Sequence, residues 1–126
     1  MTQVKEWSNQ QLNRALAELM GWTDFKEDGH GGMWATAPDF LWTNKMPDYC
    51  TDPAASLEVQ AKAKEVDAKM YVWNLSIVKW KDAVEPEEID GWESINLEDI
   101  GDLLTASPRE RAEAAYMTLQ GAKGNE

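Results

Sequence analysis

The chain has 126 residues, 43% of them hydrophobic and 28% charged, a size suited to one domain and a composition that excludes collagen-like, disordered and membrane classes. Its 23 acids against 12 bases give a formal charge of −11, which excludes unassisted attraction to nucleic-acid phosphates or anionic lipid and favours a basic partner. One cysteine, Cys50, and one histidine, His30, exclude an intramolecular disulfide framework and any zinc site drawing several Cys and His ligands from the chain. A reducing cytoplasm is the expected location. Residues 1–7 lack the apolar run of a signal peptide, and no stretch approaches 18 consecutive apolar residues, so neither export nor a membrane span is expected.

In chain order, Ser8 to Met20 predicts a helix. Ser8 and Gln11 have the spacing of a capping box, Leu12, Ala15, Leu16 and Leu19 share one face, and Gly21 stands where helices end in a left-handed residue. Trp22–Lys26 and Met33–Thr36 predict the two arms of a hairpin around the glycine-rich 27–32 reversal. Residues 37–49, with Pro38, Phe40, Trp42 and Pro47, predict an ordered loop packed by its aromatics.

Asp52-Pro53 then sets a capping acid before a proline at the first helical position, and residues 54–69 are strong helix formers. Residues 70–80 predict a strand, because Tyr71, Trp73, Leu75 and Ile77 alternate with Val72, Asn74, Ser76 and Val78. From Asp82 to Asp102 the chain holds nine acids and no Lys or Arg, while the remainder is nearly balanced. Within it, residues 92–97 suggest a last strand, and Ile100, Leu103 and Leu104 a short segment tucked onto the core. Ser107-Pro108-Arg109-Glu110 is a second capping box opening a helix to Gln120, with Ala112, Ala115, Tyr116 and Leu119 as its buried face. Residues 1–120 thus read as one α+β domain and 121–126 as a frayed tail.

The opening helix with its Met20-Gly21-Trp22 step, the aromatic hairpin, the Asp52-Pro53-Ala54-Ala55 helix entry and the Ser107-Pro108 start of an alanine-rich terminal helix together resemble the phage ABA sandwich domain family. The resemblance spans most of the chain. It implies a three-layer helix/sheet/helix sandwich with a small, mostly antiparallel sheet of three to four strands and three helices, encoded in phage or prophage genomes and placed in the host cytoplasm. It implies no catalytic residues. The acidic 82–102 stretch is longer and more acidic than that family's usual link.

Seven tryptophans exceed the needs of a core this small. Trp22, Trp34 and Trp73, on expected strands, read as core; Trp42 and Trp92, in irregular surroundings, read as contact anchors. His30 reads as a solvated loop residue, and Gly29-His30-Gly31-Gly32 lacks the lysine and following helix of a phosphate-binding loop. Cys50, flanked by Asp48 and Asp52, reads as a buried, inert thiol. Glu85, Glu87, Glu88 and Asp90 do not match the acid ladder of an EF-hand and read as a solvated or docking surface.

The sequence therefore points to a small non-enzymatic accessory protein that binds a host or phage protein with a basic surface through Trp42, Trp92, Glu85, Glu87, Glu88 and Asp90. It implies no cofactor, no metal, no direct nucleic-acid contact and no membrane. Two alternatives stand beside this: an acidic nucleic-acid mimic that inhibits a defence or transcription enzyme, and a small hydrolase using acids with His30. Acids gathered in one stretch, not spread over a long face, rank the mimic second.

Overall fold

A computed structural model of the chain describes residues 4–27, 33–38, 43–80 and 97–124. The fold is α+β: a 3-10 turn at Val4–Glu6, helix α1 (Asn9–Leu19), strands β1 (Thr23–Glu27), β2 (Met33–Thr36) and β3 (Thr43–Lys45), then helices α2 (Pro53–Trp80), α3 (Leu97–Leu104) and α4 (Pro108–Gly124).

Helix α1 begins as its sequence dictates. The Ser8 hydroxyl accepts from the Gln11 N–H at 3.1 Å and the Gln11 side chain accepts from the Ser8 N–H at 2.8 Å, satisfying two of the donors a helix start leaves open. Leu12 and Leu16 are fully buried, each contributing about 2 kcal/mol of apolar burial. Gly21 ends the helix at φ +98°, and a Cβ there would meet the Pro38 ring at 3.1 Å, so both backbone and space call for glycine.

The hairpin forms as expected, with β1 and β2 antiparallel and a register shift between Thr23 and Lys26 where Asp24 takes φ +55°. Parity on β2 turns Met33 and Ala35 inward and Trp34 outward, leaving Trp34 37% exposed. The core assignment of Trp34 is therefore corrected; Trp22 is half-buried against the core and Trp73 is buried. The 37–49 stretch is not wholly a loop, since Thr43–Lys45 pairs with β2 to give the order β1-β2-β3.

The largest departure is at residues 70–80, which are helical, not a strand. Asp67 has φ −160° and ψ 90°, breaking α2 into two helical arms, and its carboxylate accepts from the Met70 N–H at 3.1 Å as a new N-cap. The break is a sharp bend: the Tyr71 hydroxyl donates to the Gln60 side chain at 2.8 Å, although eleven residues of straight helix would separate them by about 16 Å of rise. The second arm is buried on several sides, with Tyr71, Trp73, Asn74, Leu75 and Ser76 all inside. A helix enclosed in this way loses its 3.6-residue hydrophobic period, and its β-branched and aromatic residues then mimic alternation.

Helix α4 opens with its expected capping box, Ser107 N–H to Glu110 at 2.8 Å and Glu110 N–H to Ser107 Oγ at 3.1 Å. It does not stop before Gly121. Gly121 stays helical with open space where a Cβ would stand, and the helix runs on to Gly124 with Lys123 favourably placed in its last turn. Residues 121–124, read from the sequence as tail, thus continue the helix.

Helices α2 and α4 pack directly on each other and α1 lies against α4, while α3 touches α2 only lightly. Between α2 and α4, Asn74 Nδ2 donates to Thr118 Oγ1 at 3.0 Å and Thr118 donates onward to the Ala114 carbonyl at 2.9 Å, so this buried polar pair is satisfied. Ala112, Ala114 and Ala115 are fully buried; their small side chains let the helices approach closely.

Candidate protein-interaction site

Two places gather unusual side chains: a polar seam at the N-terminal ends of α1 and α4, and an apolar groove at the α2 bend. At the seam, the Arg109 guanidinium donates to the carbonyls of Val4 at 3.0 Å and Trp7 at 2.9 Å, to Asn9 Oδ1 at 2.9 Å and to Glu113 at 2.7 Å. Asn13, one turn into α1, donates to Asp48 at 2.9 Å and accepts the Cys50 N–H at 3.0 Å. Trp7 meets Tyr116 edge-on at 5.1 Å between ring centroids. Every one of these contacts joins parts of the chain to each other, so the seam is a fastening.

Cys50 belongs to this fastening. It is 3% exposed, and burial pushes its thiol up to about 11 despite the nearby Arg109, leaving it protonated and inert near neutral pH. Asp48 behaves oppositely in net effect. Burial raises its pKa, but hydrogen bonds from the Thr51 hydroxyl, the Asn13 amide and the backbone N–H groups of Thr51 and Cys50 outweigh that and hold it below 3.8. A carboxylate with a depressed folded pKa stabilises the fold above its unfolded pKa and loses that contribution as pH falls through the folded value. Asp48→Asn is therefore expected to flatten the decline of thermal stability below about pH 4; an acid limb identical to that of the unchanged protein in pH-resolved melting would contradict this.

The groove lies where α2 bends. Gln60, Lys64 and Ala68 form one wall at four-residue spacing, Tyr71, Val72 and Leu75 the floor, and Ile100, Leu103 and Leu104 of α3 the other wall, enclosing about 510 Å³. Among the described residues, its charged lining is Lys64 and Lys69. Leu103 packs on the core, but Ile100 is 44% and Leu104 76% exposed. The expectation that all three tuck inward is corrected: in a helix, residues 100 and 104 share a face, and that face stands open beside the groove. A second hollow of about 390 Å³, lined by Asp67, Met70, Asn74, Tyr116 and Met117, lies on the other side of the bend.

Trp42, Trp92, Glu85, Glu87, Glu88 and Asp90, together with His30 and residues 92–96 of the suggested 92–97 strand, lie outside the described residues, while Leu97, the last residue of that suggestion, begins helix α3. The sequence does not show the groove, because its floor carries the alternation of a strand; the one local signal for it is Asp67, an N-capping residue type three positions before Met70. Among the described residues, no three His, Cys, Asp or Glu side chains are grouped to hold a metal ion, and no helix is long and apolar enough to cross a membrane. No protein-family model, no curated protein and no solved structure matches this chain.

Proposed function

We propose that this protein is a non-enzymatic accessory protein of phage or prophage origin, acting in the host cytoplasm by binding another protein with a basic surface. The observation that carries the reading is the open apolar face of α3, with Leu104 three-quarters exposed, at the C-terminal end of the 82–102 stretch that holds nine acids and no base. Exposed leucine beside concentrated like charge suits recognition in two steps: the acids steer a basic partner by long-range attraction, and the apolar face supplies contact area once it arrives. Trp42 and Trp92 are the proposed aromatic anchors and Glu85, Glu87, Glu88 and Asp90 the proposed charged contacts. The three-layer sandwich implied by the family resemblance remains part of this reading.

The test is affinity capture with tagged protein from host cells infected by the phage, over a salt series. Replacing Glu85, Glu87 and Glu88 by Gln and Asp90 by Asn should lower recovery of the captured protein, as should rising salt, because screening weakens charge-driven association. Trp42→Ala or Trp92→Ala should also lower recovery while leaving the melting temperature nearly unchanged. Recovery that ignores both charge removal and salt would overturn the reading.

A further inference from the structure

We infer that the bend in α2 is a hinge for domain exchange: Asp67 closes into helix, α2 becomes one straight rod, and residues 68–124 of each of two copies dock onto residues 4–66 of the other. The inference is independent of the partner proposed above.

The bend is a near reversal. Arg111 of α4 donates to Ser56 Oγ on the first arm at 3.1 Å, and Lys79 on the second arm stands 3.8 Å from Glu110. Residues 56 and 79 therefore meet adjacent positions of α4, although 23 residues of straight helix would set them about 35 Å apart. Helical hairpins normally turn through a loop of about two to five residues. Here a single non-helical residue makes the turn.

The local sequence favours the straight form. From Ala54 to Trp80 there is no glycine or proline, and Lys64, Glu65, Ala68, Lys69 and Met70 around Asp67 are all strong helix formers. The break leaves carbonyls at the end of one arm and N–H groups at the start of the next without partners inside the helix; the Asp67 carboxylate answers one of them, the Met70 N–H. Straightening returns these groups to bonds along the rod. Very short connections invite exchange for this reason.

Exchange also keeps the contacts of the fold. Ser56 with Arg111, Gln60 with Tyr71 at 2.8 Å, and the Val4 and Trp7 carbonyls with Arg109 all pass between copies unchanged, so association draws on complementarity already built into the monomer. The new contact forms where the two rods cross, beside the two-fold axis. Val66 and Met70, 42% and 40% exposed in the monomer, share one face of a straight helix at four-residue spacing, and there they meet the same face of the other copy.

Refolding the full chain from urea at concentrations from micromolar to hundreds of micromolar, followed by sedimentation velocity, tests this. The unchanged protein should yield a dimer fraction that rises with refolding concentration. Asp67→Ala removes the cap at both bends and should tighten the dimer Kd by roughly thirtyfold. Two glycines inserted between Asp67 and Ala68 lengthen the turn and disfavour the rod, and should hold the chain monomeric with its circular dichroism unchanged. Spin labels at Leu57→Cys with Lys79→Cys, in labelled chains diluted into unlabelled ones, should lie about 33 Å apart in the dimer and much closer in the monomer, while buried Cys50 stays unlabelled.

Monomer mass at every concentration for both the unchanged protein and Asp67→Ala overturns the inference. So does a dimer that survives the glycine insertion, or one whose 57–79 distance matches that of the monomer.

Discussion

Arg109→Ala is expected to lower the free energy of unfolding by on the order of 3 kcal/mol, read as a shift in urea midpoint at unchanged slope. The side chain is 22% and its partner Glu113 11% exposed, so the pair is largely withdrawn from water and the loss is not the near-zero value of a surface ion pair. Removing the guanidinium strands the Val4 and Trp7 carbonyls and the Glu113 carboxylate in partly buried surroundings at once. Arg109→Lys should recover little, because a single ammonium cannot present donors in the several fixed directions that a guanidinium does. A midpoint unmoved by Arg109→Ala would show that the seam closes without it.

Ser76→Pro should cost on the order of 3 kcal/mol or more and remove helical signal, because proline in a helix interior deletes one hydrogen bond and drives its ring into the carbonyl four residues earlier, here that of Val72. The side chain lost is small. Its hydroxyl donates only to the Trp73 carbonyl, at 2.6 Å, so the effect reports mainly on the backbone. The same substitution on an edge strand facing solvent would be borne far more easily. Near-native stability in Ser76→Pro, measured by urea unfolding followed by far-ultraviolet circular dichroism, would contradict the helical second arm of α2.

What could be read from the sequence was local chemistry. Ser8 with Gln11, Asp52 before Pro53, Ser107 with Glu110 and Gly21 each mark a helix boundary through interactions within three or four residues, and each boundary stands where its residues place it, Asp52 accepting the Ala54 N–H at 3.1 Å. The hairpin was legible for the same reason. Residues 70–80 were not, because their conformation follows from burial among α4 and the core, which erases the period that distinguishes helix from strand; eleven residues is also long for a strand. The three-residue β3 was too short to show a pattern. Gly121 misled because glycine permits a helix end without requiring one. The groove depends on a bend at Asp67 bringing Gln60 and Tyr71 together, a long-range consequence that no local spacing encodes.

The Arg109 fastening also sets an order of events while the chain is being made. Its guanidinium reaches back 105 positions to Val4, so a polypeptide growing from the N-terminus cannot latch its first turn until residue 109 has left the ribosome. Contacts this distant along the chain slow closure, and they also postpone shielding of the Cys50 sulfur, which Asn9 and Arg109 flank in the finished molecule. Chains truncated before residue 109 lack that cover, and alkylation of their Cys50 is expected to be faster than in the full chain.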